Sequence, residues 1–413
     1  MSDRHKPVVI LGAGLQGCCV ALELAQRGVR VVLLDRDEIP MNRASLRNEG
    51  KIHLGLVYAN DRTLATANLV LQGSLHFYNL LAKWLGLAID RLSCSTPFNY
   101  LVANDSLLTA DELAKHYRAI ELEYHQYLKR YPQLNYLGQR PEQLYRYLTS
   151  EELAIYFQSS YFRTGFQTAE LAVDTEQLAI LIRQAMERSS SIQFLPSKLV
   201  KSVERFNGLF RIEGIDPEGT WLLEGQQVIN ATWENRLAID RSIGIECIDG
   251  WLHRLKYRVI ARLPESLRDA PSVTMVIGRY GDVVIRPNGT VYLSWYPLAL
   301  QGWSHELQPP ASWDDPCRGR VPQKQARDLA AGVLEAIDSW FPGIGKSEPF
   351  LVDAGAIFAY GRTDVDKTTS GLHDRTKIGV TSVDGYHTVD TGKLTTAPLF
   401  AMTVADRVMD WML

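Results

Sequence analysis

Between Val8 and Asp35 the chain reads VVILGAGLQGCCVALELAQRGVRVVLLD, and few folds accommodate that order of residues. A four-residue apolar run meets Gly12, Gly14 and Gly17, an amphipathic helix pattern follows to about Arg27, and a second apolar run ends at Asp35. Strand, glycine turn, helix, strand and acid in register describe a βαβ unit that holds a dinucleotide by its pyrophosphate. Gly12 allows the tight turn, Gly14 lets backbone approach the phosphates, and Gly17 lets helix and strand pack closely. The helix N-terminus supplies unpaired N–H groups and a partial positive charge. Asp35 is placed to accept hydrogen bonds from a ribose diol. The motif alone does not distinguish NAD from FAD.

At 413 residues the chain exceeds one ordinary core and suggests two intertwined or consecutive domains. Its 46% hydrophobic and 22% charged content is that of a soluble globular protein. A net charge of −3 gives no reason to expect nucleic acid or an anionic membrane surface as partner, and a small-molecule ligand is expected. Cys18, Cys19, Cys94, Cys247 and Cys317 form no CxxC pair, so neither a metal site nor a disulfide framework is expected, and a reducing cytoplasm is the expected location. Cys18 and Cys19 read as packing residues of the first helix. No window offers about twenty uninterrupted apolar residues, so no integral membrane segment is expected.

Beyond Asp35, residues 41–61 are too rich in Arg, Asn, Ser, Gly and His for a simple connector. Asp61 to about Leu85 has a broad helical apolar face. From Leu107 to Phe157 the pattern is helical again, with capping boxes at Thr109/Glu112 and Thr149/Glu152. The tyrosines crowded between Tyr117 and Tyr147 read as packing of an inserted helical subdomain. Asp174 and Gln177 open another helix. Short strands are expected at 192–195, 199–205, 209–214 and 221–224, with Asn207-Gly208 as a hairpin turn. Residues 226–233 read as a buried strand where such a domain adds its last parallel strand. Residues 255–263 and 273–296 alternate at strand period around a Pro287-Asn288-Gly289 turn, which predicts an antiparallel sheet. A helix over about 322–340 and a closing helix to Leu413 complete the pattern.

Three separated stretches resemble one family, the FAD-dependent oxidoreductases that include D-amino acid oxidase, glycine oxidase, glycerol-3-phosphate dehydrogenase and L-2-hydroxyglutarate dehydrogenase. They are the glycine motif; Arg43-Ala44-Ser45 with Asn48 to Gly55; and Thr391 to Thr396. Val228 to Thr232 and Gly361-Arg362 add to the likeness. The resemblance implies FAD, held by an α/β, Rossmann-like domain assembled from 1–95, 166–235 and 350–413. It also implies an α+β substrate domain from 96–165 and 236–349, with an antiparallel sheet and inserted helices.

The same resemblance implies roles for particular residues. Gly12, Gly14, Gly17, Asp35, Arg36, Arg43, Ser45, Val200, Ala231, Lys393, Leu394 and Thr395 would hold the cofactor. Ser45 would reach the pyrophosphate, Val200 would present backbone to the adenine, and the N–H groups at 393–396 would face the flavin N1 and C2=O edge. Thr395 or Thr396 could equally be an N-cap. His53 would take an alcohol proton, contact the flavin or carry it covalently. Arg362 would clamp an acidic substrate group, with Tyr296 a further catalytic candidate and Arg286, Tyr292 and Tyr360 weaker ones. The implied reaction is hydride removal to flavin N5 from a carbon bearing a hydroxyl, in a hydroxy acid or a polyol or sugar derivative, with oxygen, a quinone or a protein as electron acceptor. An amine or amino-acid oxidase is the first alternative, and a flavin-binding subunit without its own chemistry the second.

Overall fold

The computed structural model of the protein describes residues 6–413. The first strand, Val8–Leu11, is buried along its whole length because parallel strands covered on both faces are apolar throughout. It lies at the centre of a six-stranded sheet in the order 379–383, 386–390, 227–230, 8–11, 31–34, 192–195. Val8–Leu11 pairs in parallel with Val31–Leu34 on one side and Gln227–Asn230 on the other. Residues 386–390 extend the sheet in parallel, and Gly379–Val383 closes it antiparallel. The helix Leu15–Gln26 packs under this sheet with Cys18 and Cys19 fully buried.

A second, nine-stranded sheet is mainly antiparallel, in the order 300–304, 251–262, 290–295, 281–285, 272–276, 98–103, 162–168, 145–147. The long strand Glu348–Tyr360 pairs with Trp251–Arg262 on this sheet. Placing a domain boundary at 350 would assign that strand to the nucleotide domain. Its backbone instead runs register for register with Trp251–Arg262, and the chain rejoins the parallel sheet only at 386–390. Residues 162–168 likewise form one continuous strand across the expected boundary at 165. The helix Gln323–Asp338 covers this sheet's second core through Leu329, Val333 and Ile337.

Both capping boxes form: Thr109 and Thr149 each accept from the N3 backbone while Glu112 and Glu152 reach back. Asp174 caps Thr175–Glu187 by accepting from the N–H groups of Glu176 and Gln177. The tyrosines of the insertion are largely core. Tyr117 meets Tyr145 and Phe166 edge-on, and Tyr136 donates to the Ile52 carbonyl at 2.6 Å and accepts from Leu171 N–H at 2.8 Å. That hydroxyl fixes the two-stranded ribbon Lys51–Ile52 with Leu171–Ala172, which carries the polar 41–61 segment into the interior. Among the described residues no helix is long and apolar enough to cross a membrane, and no His/Cys/Asp/Glu cluster is arranged to hold a metal.

Candidate active site

One open-mouthed cleft runs from the glycine turn, between the two sheets, to Tyr296 and Arg375. Its outer end is built by the βαβ unit. Gly12 has φ +92°, and a Cβ there would lie 2.6 Å from the Ala231 carbonyl oxygen. A Cβ on Gly17 would lie 1.9 Å from the Gly12 carbonyl oxygen, so neither position admits a side chain. Ser45 Oγ accepts the Leu15 N–H at 2.8 Å at the start of the helix. Asp35 accepts from Ala13 N–H at 2.6 Å and Asp37 N–H at 2.9 Å, so its carboxylate braces the turn as well as facing the cleft. Val200 and Ala231 line the same end.

Charges at this end are satisfied by one another. Arg36 pairs with Glu234. Arg43 bonds Asp37 at 2.9 Å and Asp314 at 2.6 Å, which ties the 41–61 segment to the short helix Asp314–Cys317.

The inner end is different. Arg254, Lys256, Lys393 and Arg375 all line it, together with Glu49, His53 and Tyr296. Arg254 bonds Asp364 at 3.1 Å. Lys256 lies 3.6 Å from Glu49 and 3.5 Å from Asp282, with its Nζ 4.7 Å from the centre of the Tyr296 ring. Lys51, beside them, donates to Asp282 at 3.0 Å. Among the described residues Arg375 and Lys393 have no carboxylate within 4 Å. Arg375 is only 6% exposed, its Nε has no partner, and one Nη reaches the Phe358 carbonyl at 3.5 Å. Burial and the Arg254 charge hold its guanidinium below the usual range. Burial, with Arg375, Lys256 and Arg254 nearby, lowers the Lys393 ammonium to about 8 against the pull of Glu49.

His53 is 4% exposed. Its N–H donates to Thr395 Oγ1 at 3.0 Å, and its Nδ1 is buried without a hydrogen-bond partner, 3.7 Å from Glu170. Burial, reinforced by Lys393 and Lys51, outweighs the pull of Glu170 and lowers the imidazole below its ordinary value. The turn Leu394–Thr396 leads into the last helix, and no side chain caps either element. Thr396 donates to the carbonyls of Thr391 and Lys393 at 2.6 and 2.9 Å, while Thr395 is spent on the His53 backbone. Thr396 thus occupies the N-cap position of the last helix without capping it through its side chain, and Thr395 caps neither element.

A family model described as FAD dependent oxidoreductase matches residues 7–407. The chain belongs to this family. Solved structures with the same fold include glycine oxidase from Geobacillus kaustophilus (14% identity, 98% of this chain and 95% of that one, TM-score 0.69). Another is L-alpha-glycerophosphate oxidase from Mycoplasma pneumoniae with FAD bound (16%, 99% and 95%, TM-score 0.62). Among curated proteins, the tRNA 5-methylaminomethyl-2-thiouridine biosynthesis bifunctional protein of Ralstonia nicotianae is 33% identical over 119 residues. That match takes in 29% of this chain and only 17% of the relative's length.

Membership of this family makes FAD the cofactor the cleft is expected to hold. The cleft fits the cofactor. The side-chain-free turn at Gly12, Gly14 and Gly17 leaves room for a pyrophosphate, and Gln16 Nε2 and Arg47 Nη1 are buried polar atoms on the cleft lining with no hydrogen-bond partner. Of the cofactor residues expected from sequence, Gly12, Gly14, Asp35, Arg36, Arg43, Ser45, Val200, Ala231, Lys393 and Leu394 line the cleft; Gly17 and Thr395 stand directly behind it. His53 and Tyr296 also line it.

Arg362 does not. The chain turns at Gly361, φ +150°, where the N–H bonds the Gly250 carbonyl. Arg362 then points outward, 72% exposed, and pairs with Asp249. Arg286, 5% exposed, faces Asp174 at 3.9 Å, away from the cleft. Tyr292 is core, and Tyr360 bonds Arg236. The cations that do reach the cleft were missed. Arg254 and Lys256 had a legible signal, because with Arg258 they alternate at strand period within a largely apolar strand, all three buried. Buried charges on a core-facing register need a reason. Arg258 finds its own in a bidentate pair with Asp353 at 2.6 and 3.1 Å. Arg375 comes from an irregular loop with no pattern to find it.

Proposed function

We propose that this oxidoreductase oxidises a small amine that carries a carboxylate. The observation behind this reading is Arg375, a buried guanidinium on the inner wall with no carboxylate of its own. Burying an unpaired cation is costly, and a substrate carboxylate supplies its missing partner through two parallel bonds. Arg254 and Lys256 add to the attraction. Glu49, the carboxylate lining the inner end beside Lys256, offers an opposite charge for a substrate ammonium. The names of similar proteins support the amine: glycine oxidase, iminodiacetate oxidase from Chelativorans sp. BNC1, and the methylaminomethyl-uridine biosynthesis protein.

When bound, FAD supplies the two-electron acceptor for the substrate carbon's hydride. The chain's own residues orient the substrate by its carboxylate, exclude bulk water and hold His53 neutral by burial, so that the imidazole can accept a proton. A hydroxy acid is the second reading. His53 favours it, because an alcohol must lose its proton as the hydride departs, whereas a neutral amine need not.

The test is anaerobic mixing of the holoenzyme with glycine, N-methylglycine, iminodiacetate, a 2-hydroxy acid and glycerol phosphate while flavin absorbance is followed. Bleaching by the carboxylate amines is expected, with kcat/KM falling about 10²–10³-fold in Arg375→Met, equivalent to about 3–4 kcal/mol. Bleaching only by the 2-hydroxy acid or by glycerol phosphate, or an unaffected Arg375→Met enzyme, would overturn the reading.

A further inference from the structure

Behind His53, on the side away from the cleft, lies a carboxylate to which neither the sequence motifs nor the cofactor-binding residues assign a role. Glu170 sits between strands 162–168 and 171–172 and has no solvent exposure at all. Its Oε1 accepts the Leu54 N–H at 2.7 Å, and its Oε2 accepts the Tyr100 hydroxyl. Oε2 is also 3.7 Å from His53 Nδ1. Among the described residues, that imidazole is the only basic side chain with nitrogen within 4 Å of it. A fully buried carboxylate without a lysine or arginine partner is expensive, and two neutral donors satisfy it only in part. The adjoining His53 Nδ1 is itself buried and unpartnered. The two unsatisfied groups face each other.

We infer that Glu170 is a positioning residue that draws the His53 proton to Nδ1 and so leaves Nε2, the nitrogen open to the cleft, unprotonated and able to accept a proton from substrate. An imidazole has one donor and one acceptor nitrogen when neutral, and the partner of one decides the state of the other. A carboxylate can only accept, so it selects Nδ1–H. The tether of Leu54 N–H fixes the carboxylate to the residue next to His53, and Thr395 Oγ1 fixes the His53 backbone from the other side. The ring is thereby held between a helix end and a buried acid. Tyr58 packs edge-on against it with ring centres 5.8 Å apart, which limits rotation out of this arrangement. Without Glu170 the charges that act on the ring are mainly cationic, Lys393 and Lys51. Nothing there would favour Nδ1–H.

The inference rests on His53 as the proton acceptor, but its decisive measurement does not depend on which substrate is oxidised. Nitrogen-15 spectra of the histidine-labelled holoenzyme, with the His53 signals assigned by their loss in His53→Asn, report which ring nitrogen carries the proton. Protonated Nδ1 in the wild type is expected; protonated Nε2 overturns the inference, even if Glu170→Gln fails to fold. Where Glu170→Gln does fold and retains FAD, the tautomer should change or become mixed. The value of kcat should fall about tenfold or more with KM little altered, and the acidic limb of the pH profile should move down because the imidazole loses its negative neighbour. Tyr100→Phe, which keeps the carboxylate, should keep the tautomer. A lower melting temperature in Glu170→Gln with the His53 tautomer unchanged would show a purely structural residue and overturn the assignment.

Discussion

The two ends of one cleft handle charge in opposite ways. At the nucleotide end, Arg36, Arg43, Asp37, Glu234 and Asp314 neutralise one another through short pairs, and recognition of the cofactor is left to backbone and to the space that glycines leave. At the inner end, Arg375 and Lys393 have no carboxylate within 4 Å among the described residues, and Arg375 Nε has no hydrogen-bond partner. Paired charges are architecture: removing one member strands the other. Unpaired charges are held ready, at a cost to the fold that a ligand offsets on binding. The inner end should therefore respond to ligands and pH, and the outer end chiefly to changes in backbone space.

The sharpest break in this contrast comes at the outer end. In Gly17→Ala the new Cβ would sit 1.9 Å from the Gly12 carbonyl oxygen, backbone that cannot move without opening the turn. We expect loss of nearly all bound FAD, read by flavin absorbance of the purified protein, with a stability loss of about 3 kcal/mol or more. Full FAD content would mean that the turn is not what holds the cofactor.

A smaller, pH-linked effect belongs to the inner end. The Lys393 ammonium is lowered to about 8 from its ordinary value of 10.5. The fold therefore disfavours its charge: the cost is full below pH 8 and disappears as pH rises towards 10.5, so this group makes the ligand-free protein more stable over that window. A carboxylate bound nearby acts in the reverse sense, because it favours the charged form. Affinity for a simple carboxylate inhibitor should fall as pH rises through about 8, about tenfold for each unit that the bound anion restores. Lys393→Met should flatten this dependence; a slope unchanged in that variant would remove Lys393 from the inner-end field.

The same contrast explains what was readable in the sequence. The outer end is local: three glycines, two strands and an acid within Val8–Asp35 announce their partners by spacing alone. Capping boxes such as Thr109/Glu112 are local as well. The inner end is assembled from Glu49, Lys256, Tyr296, Arg375 and Lys393, which no periodicity links, and only the register of the Trp251–Arg262 strand exposes Arg254 and Lys256 as charges on a buried face. Glu170 was legible only as a lone acid near a strand end. Its meaning depends on His53, brought to it by the pairing of Lys51–Ile52 with Leu171–Ala172.

Arg362 gives the smallest expected effect and the finest test of the comparison. By its place after Ala359-Tyr360-Gly361 it is the expected substrate anchor, yet it is 72% exposed and paired with Asp249, itself 79% exposed. An exposed pair of long side chains gains little because water screens both charges. Arg362→Ala should leave kcat/KM within about twofold and change stability by no more than about 0.5 kcal/mol. Arg375→Met, from the far end of the same loop, should remove most of the activity. If instead Arg362→Ala proved the more damaging, the loop 361–378 would have to refold on substrate binding so that the two arginines exchange places, and the inner end could no longer be treated as preformed.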